Sequence, residues 1–213
     1  MLTAPLTEAA LQRGARLLAR RDPDLAQLRR EIGDPPLWAR APGFPTLVHI
    51  ILEQQVSLAS AQAAFDRLRA ACRGRVTPGR ALTFSDAELK RIGFSRQKAG
   101  YLRELAHAIQ QRRFNPEHLS ALPDAAARAA LVALKGIGPW TADIYLLMAL
   151  LRRDIWPHGD LALAVAVQQV KGLAARPSYA ELSVMAEQWR PWRAVAARMF
   201  WHYYLSRSVR RQA

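Results

Sequence analysis

Cysteine is almost absent from this 213-residue chain. Cys72 stands alone, which excludes an intrachain disulfide, a four-thiolate zinc site and a four-cysteine iron–sulfur cluster. Lysine is scarce too: only 4 of the 31 basic residues are Lys, the rest Arg. Acidic residues number 17, leaving a net charge of +14, a balance that favours a polyanionic partner, nucleic acid before a membrane surface. No apolar run reaches the roughly 18 residues of a membrane span. The first twenty-one residues lack a signal-peptide core; they are Arg-bearing and amphipathic, as a transit peptide would be, but Leu11, Leu17 and Leu18 are expected to face a core. A cytoplasmic protein is the default expectation. No period-two strand pattern, internal repeat or low-complexity tract is found. The 51% hydrophobic content suffices for one substantial core or two small helical ones.

What remains reads as helix. Asp22-Pro23 opens a short helix to about Arg30, closed by Gly33-Asp34-Pro35-Pro36. Thr46 is expected to cap a helix to about Glu53, and Ser57 another to Cys72. Residues 73–80, with two Gly and one Pro, read as a loop. Ser85 to Glu88 and Ser178 to Glu181 have the spacing of capping boxes. Tyr101, Leu102, Leu105, Ala106 and Ile109 share one face of a helix over 97–111. Pro191 is expected to begin the last helix.

The most informative stretch is Leu134-Lys135-Gly136-Ile137-Gly138-Pro139-Trp140-Thr141-Ala142. The glycines permit a tight turn through positive φ and close approach of a foreign backbone. Apolar helical segments, 123–133 and 140–151, flank it, and Pro139 suits a first helical turn. The amides of that turn form a ready site for a phosphate group. This is a helix-hairpin-helix element, with Gly136, Ile137, Gly138, Trp140 and Thr141 as its DNA-binding residues. Twenty positions after Trp140 comes Asp160, in Trp156-Pro157-His158-Gly159-Asp160.

These segments, with Ile50-Ile51-Leu52-Glu53-Gln54-Gln55-Val56-Ser57 and Trp189-Arg190-Pro191-Trp192-Arg193 running on to Phe200-Trp201-His202, resemble the helix-hairpin-helix (HhH-GPD) DNA glycosylases. Within them the chain is similar to the 3-methyladenine DNA glycosylase II (AlkA-like) family, in a short form without the family's N-terminal β-domain. The resemblance implies an all-α fold of two helical lobes, 45–152 and 1–44 with 153–213, with the active site in the cleft between them. It implies an enzyme that flips alkylated purines such as 3-methyladenine or 7-methylguanine out of double-stranded DNA, hydrolyses the N-glycosidic bond and so begins base excision repair, as a monomer. Alternatives are a glycosylase for deaminated, oxidised or mismatched bases, and a non-enzymatic protein that binds damaged DNA.

On this resemblance Asp160 is the catalytic carboxylate, placed to stabilise positive charge on the deoxyribose. An Asp before Leu161-Ala162-Leu163 is also a good N-cap, and the roles coexist. Trp140 fills the position at which backbone-cutting relatives carry a Schiff-base Lys, so a monofunctional enzyme without lyase activity is expected. Trp140 and Trp201 would stack on cationic, electron-poor bases, with Tyr145 and His202 as further pocket lining and Tyr203 and Tyr204 behind them. Gln55, with Val56 in reserve, would fill the gap left by the flipped nucleotide. The family hairpin also holds a monovalent cation, Na⁺ or K⁺, through backbone carbonyls that correspond to Val132, Leu134 and Ile137. No organic cofactor is implied.

Overall fold

The computed structural model describes residues 4–210, with side chains through 207; positions 1–3 and 211–213 of the expected second lobe lie outside the described residues. The described residues are all-helical, without strands. They divide into two compact units, one of residues 40–150 and the other of 4–39 with 151–210. These boundaries differ by a few residues from the expected 45 and 152. In the first unit the Arg40 N–H donates to Met148 O at 2.9 Å, and in the second the Leu6 N–H donates to Leu151 O at 2.8 Å.

The first unit contains α3 (Phe44–Glu53), α4 (Leu58–Ala71), α5 (Pro78–Ala81), α6 (Asp86–Ile92), α7 (Arg96–Gln110), a 3-10 turn (Pro116–Ala121), α8 (Asp124–Val132) and α9 (Pro139–Met148). Helix α3 is its core: Leu47, Val48, Ile50, Ile51 and Leu52 are all buried, against α4, α7 and α9. A helix buried on nearly every side needs no amphipathic stripe. It begins two residues before the expected cap Thr46. Gly43 provides the N-cap without a side-chain bond, and the Thr46 hydroxyl instead donates to Ala41 O at 2.6 Å.

Local signals are honoured elsewhere. Ser57 caps α4, and Ser85 with Glu88 forms a reciprocal capping box on α6, which ends in left-handed Gly93. Within the expected loop over 73–80, Thr77 caps the short helix α5.

The second unit holds α1 (Glu8–Arg21), α2 (Pro23–Ile32), α10 (Leu161–Val170), α11 (Tyr179–Ala186), a 3-10 turn (Glu187–Trp189) and α12 (Arg193–Arg210). Leu11 and Leu18 of α1 and Leu25 and Leu28 of α2 are buried, with Leu17 half-buried; α12 packs on α1, α2 and α10. Helix α12 starts at Arg193, after Pro191, because a turn precedes it in which the Trp192 N–H bonds Trp189 O at 2.8 Å. Arg198, wholly buried in α12, donates to Leu37 O at 2.8 Å and so ties the segment 33–39 to that helix.

Candidate functional site

The hairpin is built as its sequence requires. Helix α8 ends at Val132 and α9 begins at Pro139, with Gly138 as an N-cap that carries no side-chain bond. The first turn of α9 therefore presents its end without a capping side chain in the way. Ile137 is buried and its N–H closes the turn on Leu134 O at 3.1 Å. Arg128 of α8 pairs with fully buried Asp143 of α9, joining the two helices of the motif.

Of the two glycines, only Gly136 takes a positive φ, +88°. It is also covered: a Cβ there would stand 2.1 Å from Tyr101 Cγ, so the α7 ring lies directly on the bare Cα. Gly138 has φ −86°, within reach of any residue. Its Cβ would meet nothing within 4 Å, so this is the face of the hairpin open to a foreign backbone.

Trp140, at the second position of α9, is half-buried. Thr141, expected among the DNA-contacting residues, has its side chain turned inward. It is 2% exposed, and its hydroxyl accepts from Gln54 Nε2 at 3.0 Å.

Tyr145 is corrected more sharply. It is fully buried and its hydroxyl accepts the Gly43 N–H at 2.9 Å; burial pushes the phenol above its ordinary pKa, against a smaller pull from Gly43. A ring with neither face exposed cannot stack on a base, so Tyr145 is a core residue.

In the second unit, Asp160 is the N-cap of α10. Its Oδ1 accepts the Leu163 N–H at 2.8 Å and the Trp201 indole N–H at 3.2 Å. Both side chains are nearly buried, at 8% exposure each. The carboxylate is thus fixed in rotation by its own helix and by α12, at a helix end that attracts negative charge. The family resemblance leads one to expect Trp201 as a stacking surface; its hydrogen bond to Asp160 has no local signature, since 41 residues separate them.

His202 turns another way. Its Nε2 bonds Ile32 O at 2.9 Å, and its ring meets Trp38 edge-on, centroids 6.3 Å apart. Tyr203 is half-buried under the Arg207 guanidinium, and Tyr204 is exposed.

A prediction attaches to this pair. Trp201→Phe keeps an aromatic face but deletes the N–H that orients Asp160, and a hydrogen bond to a carboxylate contributes about 1.5–3 kcal/mol. For the base-releasing activity that the resemblance implies, single-turnover release is expected to fall by roughly that amount, with affinity for undamaged duplex unchanged. Loss of helicity with the activity would instead make Trp201 a packing residue.

The loop Gln54–Ser57 follows α3. Gln55 sits in the left-handed region at φ +56°, and Gln55 and Val56 are both exposed.

Comparison with known proteins matches residues 48–193 to a family model described as HhH-GPD superfamily base excision DNA repair protein, a span that takes in Gln54, the hairpin and Asp160. The chain belongs to this superfamily. Among HhH-GPD relatives it is 27% identical over 161 residues to DNA-3-methyladenine glycosylase 1 of Schizosaccharomyces pombe, covering 74% of this chain and 71% of that protein. It is 40% identical over 75 residues to the probable bifunctional transcriptional activator/DNA repair enzyme AlkA of Mycobacterium tuberculosis, covering 35% of this chain. The chain spans only 14% of that protein, and 40% of a putative DNA-3-methyladenine glycosylase of Bacillus subtilis.

The HhH-GPD fold is also that of a Schizosaccharomyces pombe 3-methyladenine DNA glycosylase solved in complex with abasic DNA, at a TM-score of 0.83, 24% identity and coverage of 89% of this chain and 95% of that one. A DNA-3-methyladenine glycosidase from Bacillus halodurans aligns at a TM-score of 0.77 and 25% identity, over 92% and 91% of the two chains.

Proposed function

We propose that this HhH-GPD protein is a monofunctional DNA glycosylase that removes alkylated purines of the 3-methyladenine and 7-methylguanine type, leaving an abasic site for base excision repair. The observation that carries the reading is Asp160, held by the Leu163 amide and the Trp201 indole. The relatives named as 3-methyladenine glycosylases supply the substrate class.

In this reading the hairpin grips the backbone through the first turn of α9, and the damaged nucleotide leaves the stack. The C1′–N bond breaks with its electron pair departing on the base. An N3- or N7-alkylated purine leaves readily because its positive charge is neutralised as it goes. Asp160 stabilises the cationic sugar and orients the water whose oxygen bonds C1′, its released proton passing to solvent. Trp140 and Trp201 offer faces for a cationic ring. Lys135 is exposed on the hairpin and position 140 carries an indole, so no amine is assigned to Schiff-base chemistry.

The carbonyls of Val132, Leu134 and Ile137 suit a monovalent cation. They are neutral oxygen donors, Val132 ends α8 where carbonyls lack intrahelical partners, and Leu134 O keeps a second lone pair beside its bond from Ile137. A bound cation would stiffen the hairpin and add positive charge beside a phosphate.

The test is a set of duplexes each carrying one lesion, scored for abasic sites and for strand nicking. Alkylated purines are expected to be released with the backbone intact. Binding is expected to weaken with salt by about 0.9 log units per log unit of salt for each phosphate neutralised. Preferential release of deaminated or oxidised bases would replace the substrate class, nicking would overturn the monofunctional assignment, and salt-independent binding would remove DNA as the partner.

A further inference from the structure

We infer that Gln54 is a positioning residue that locks the groove-probing loop to the phosphate-gripping hairpin; this rests on the glycosylase reading and assigns a task to a side chain it leaves unused. Gln54 follows the last residue of α3. Its amide nitrogen donates to Gly136 O at 2.9 Å and to Thr141 Oγ1 at 3.0 Å. Both amide hydrogens are thereby used. The two acceptors lie 82 and 87 residues away in sequence, one at the hairpin's left-handed glycine and the other in the first turn of α9.

The neighbouring residue gives this bridge its purpose. Gln55 holds φ +56°, a conformation costly for a non-glycine residue that persists only where the surroundings over-determine it. Gln55 is exposed, so its own side chain is not buried in a setting that would impose that geometry. The constraint comes from the residues around it. Gln54 is bonded to the hairpin. Leu52 O, at the end of α3, accepts the Lys98 ammonium of α7 at 2.7 Å, and burial holds that ammonium below its ordinary pKa. One turn along α7, Tyr101 lies on Gly136 with its hydroxyl bonded to Gln97 at 2.6 Å.

Probe loop, hairpin and α7 are therefore cross-braced within one unit. The strained backbone at Gln55 is carried by a frame anchored on the phosphate-binding turn. Gripping the backbone and filling the vacated base stack become one rigid action, and the energy of phosphate binding drives insertion of the probe without being dissipated in loop motion.

The experiment uses Gln54→Met, which keeps the length and apolar stem and deletes both donors, beside Thr141→Val and Thr141→Ser, which remove and retain one acceptor. Three properties are measured: thermal unfolding, affinity for undamaged duplex, and single-turnover release of one alkylated purine either fully paired or in a one-nucleotide bulge, where it is already partly unstacked. Insertion is followed separately through 2-aminopurine fluorescence next to an abasic site.

Gln54→Met is expected to slow release from paired duplex by roughly tenfold or more, on the order of the two hydrogen bonds it deletes, and from the bulge by less than about threefold. The fluorescence change on binding is expected to be lost while affinity for undamaged DNA stays within about twofold. Thr141→Val should show part of this and Thr141→Ser none. If Gln54→Met lowers the unfolding temperature enough to confuse the comparison, the Thr141 pair decides. Equal losses on both substrates, or a fluorescence change that survives in Gln54→Met, would overturn the assignment. A wild-type protein that gives the fluorescence change but releases no base would remove the glycosylase reading and leave the brace standing.

Discussion

Asp160→Asn is expected to reduce single-turnover base release by about 2.7–4 kcal/mol, the scale of losing one electrostatic contact to a transition state. The substitution separates the observed cap from the proposed catalytic role. Asn caps a helix about as well as Asp, and its remaining oxygen is able to accept the Leu163 and Trp201 N–H groups that Asp160 accepts now. The fold and the affinity for damaged duplex should both survive. The negative charge, which alone stabilises a cationic sugar, is gone. Full activity in a folded Asp160→Asn protein would reduce Asp160 to a cap and remove the proposed mechanism.

Asp22→Ala is expected to lower the stability of the second unit by about 3–5 kcal/mol, the range for removing one member of a buried ion pair. Asp22 is 4% exposed. It caps α2 through the Asp24 and Leu25 amides, receives the Lys171 ammonium at 2.6 and 2.7 Å, and accepts the Trp189 indole N–H at 2.9 Å. Its loss leaves buried donors unsatisfied. Burial alone would raise the Asp22 carboxyl, but Lys171, Trp189 and the Leu25 amide together hold it below its ordinary value. A carboxyl depressed in the folded state adds stability that is fully present above the unfolded pKa, near 3.9, and is lost as pH falls through the folded value. Urea unfolding between neutral and acid pH should therefore show a steeper acid-side loss in the wild type than in Asp22→Asn. Parallel profiles would assign the acid loss to other carboxylates.

The parts of this architecture that were legible are those written locally. Both capping boxes, the Asp22-Pro23 start, the end of α6 at Gly93 and the Asp160 cap of α10 each rest on residues within four positions of one another. The all-α class followed from apolar spacing, and the superfamily from motifs in a fixed order.

What was not legible depends on distant partners. Tyr145 is an aromatic on a motif helix, and nothing nearby shows that Gly43, 102 positions earlier, closes over its hydroxyl. Thr141 looks like a surface residue of the hairpin until Gln54 reaches it. In the sequence Tyr101 is one of five residues sharing a helix face, with nothing to mark it as the ring that requires Gly136 to be glycine. The short α5 was hidden because Pro78 and Gly79 read as breakers, although Pro suits a first turn and Thr77 caps it.

The interruption of one unit by the other has a consequence for synthesis on the ribosome. Helices α1 and α2 are made before residues 40–150, while α10 and α12, on which they pack, are made after them. Residues 40–150 form a continuous segment between them, able to complete its own core while translation proceeds. At about 5–20 residues per second, Leu11, Leu18, Leu25 and Leu28 wait on the order of ten seconds for the surfaces that bury them. Until α10 and α12 are made, the apolar faces of α1 and α2 are thus the part of these units most exposed to aggregation and to chaperones.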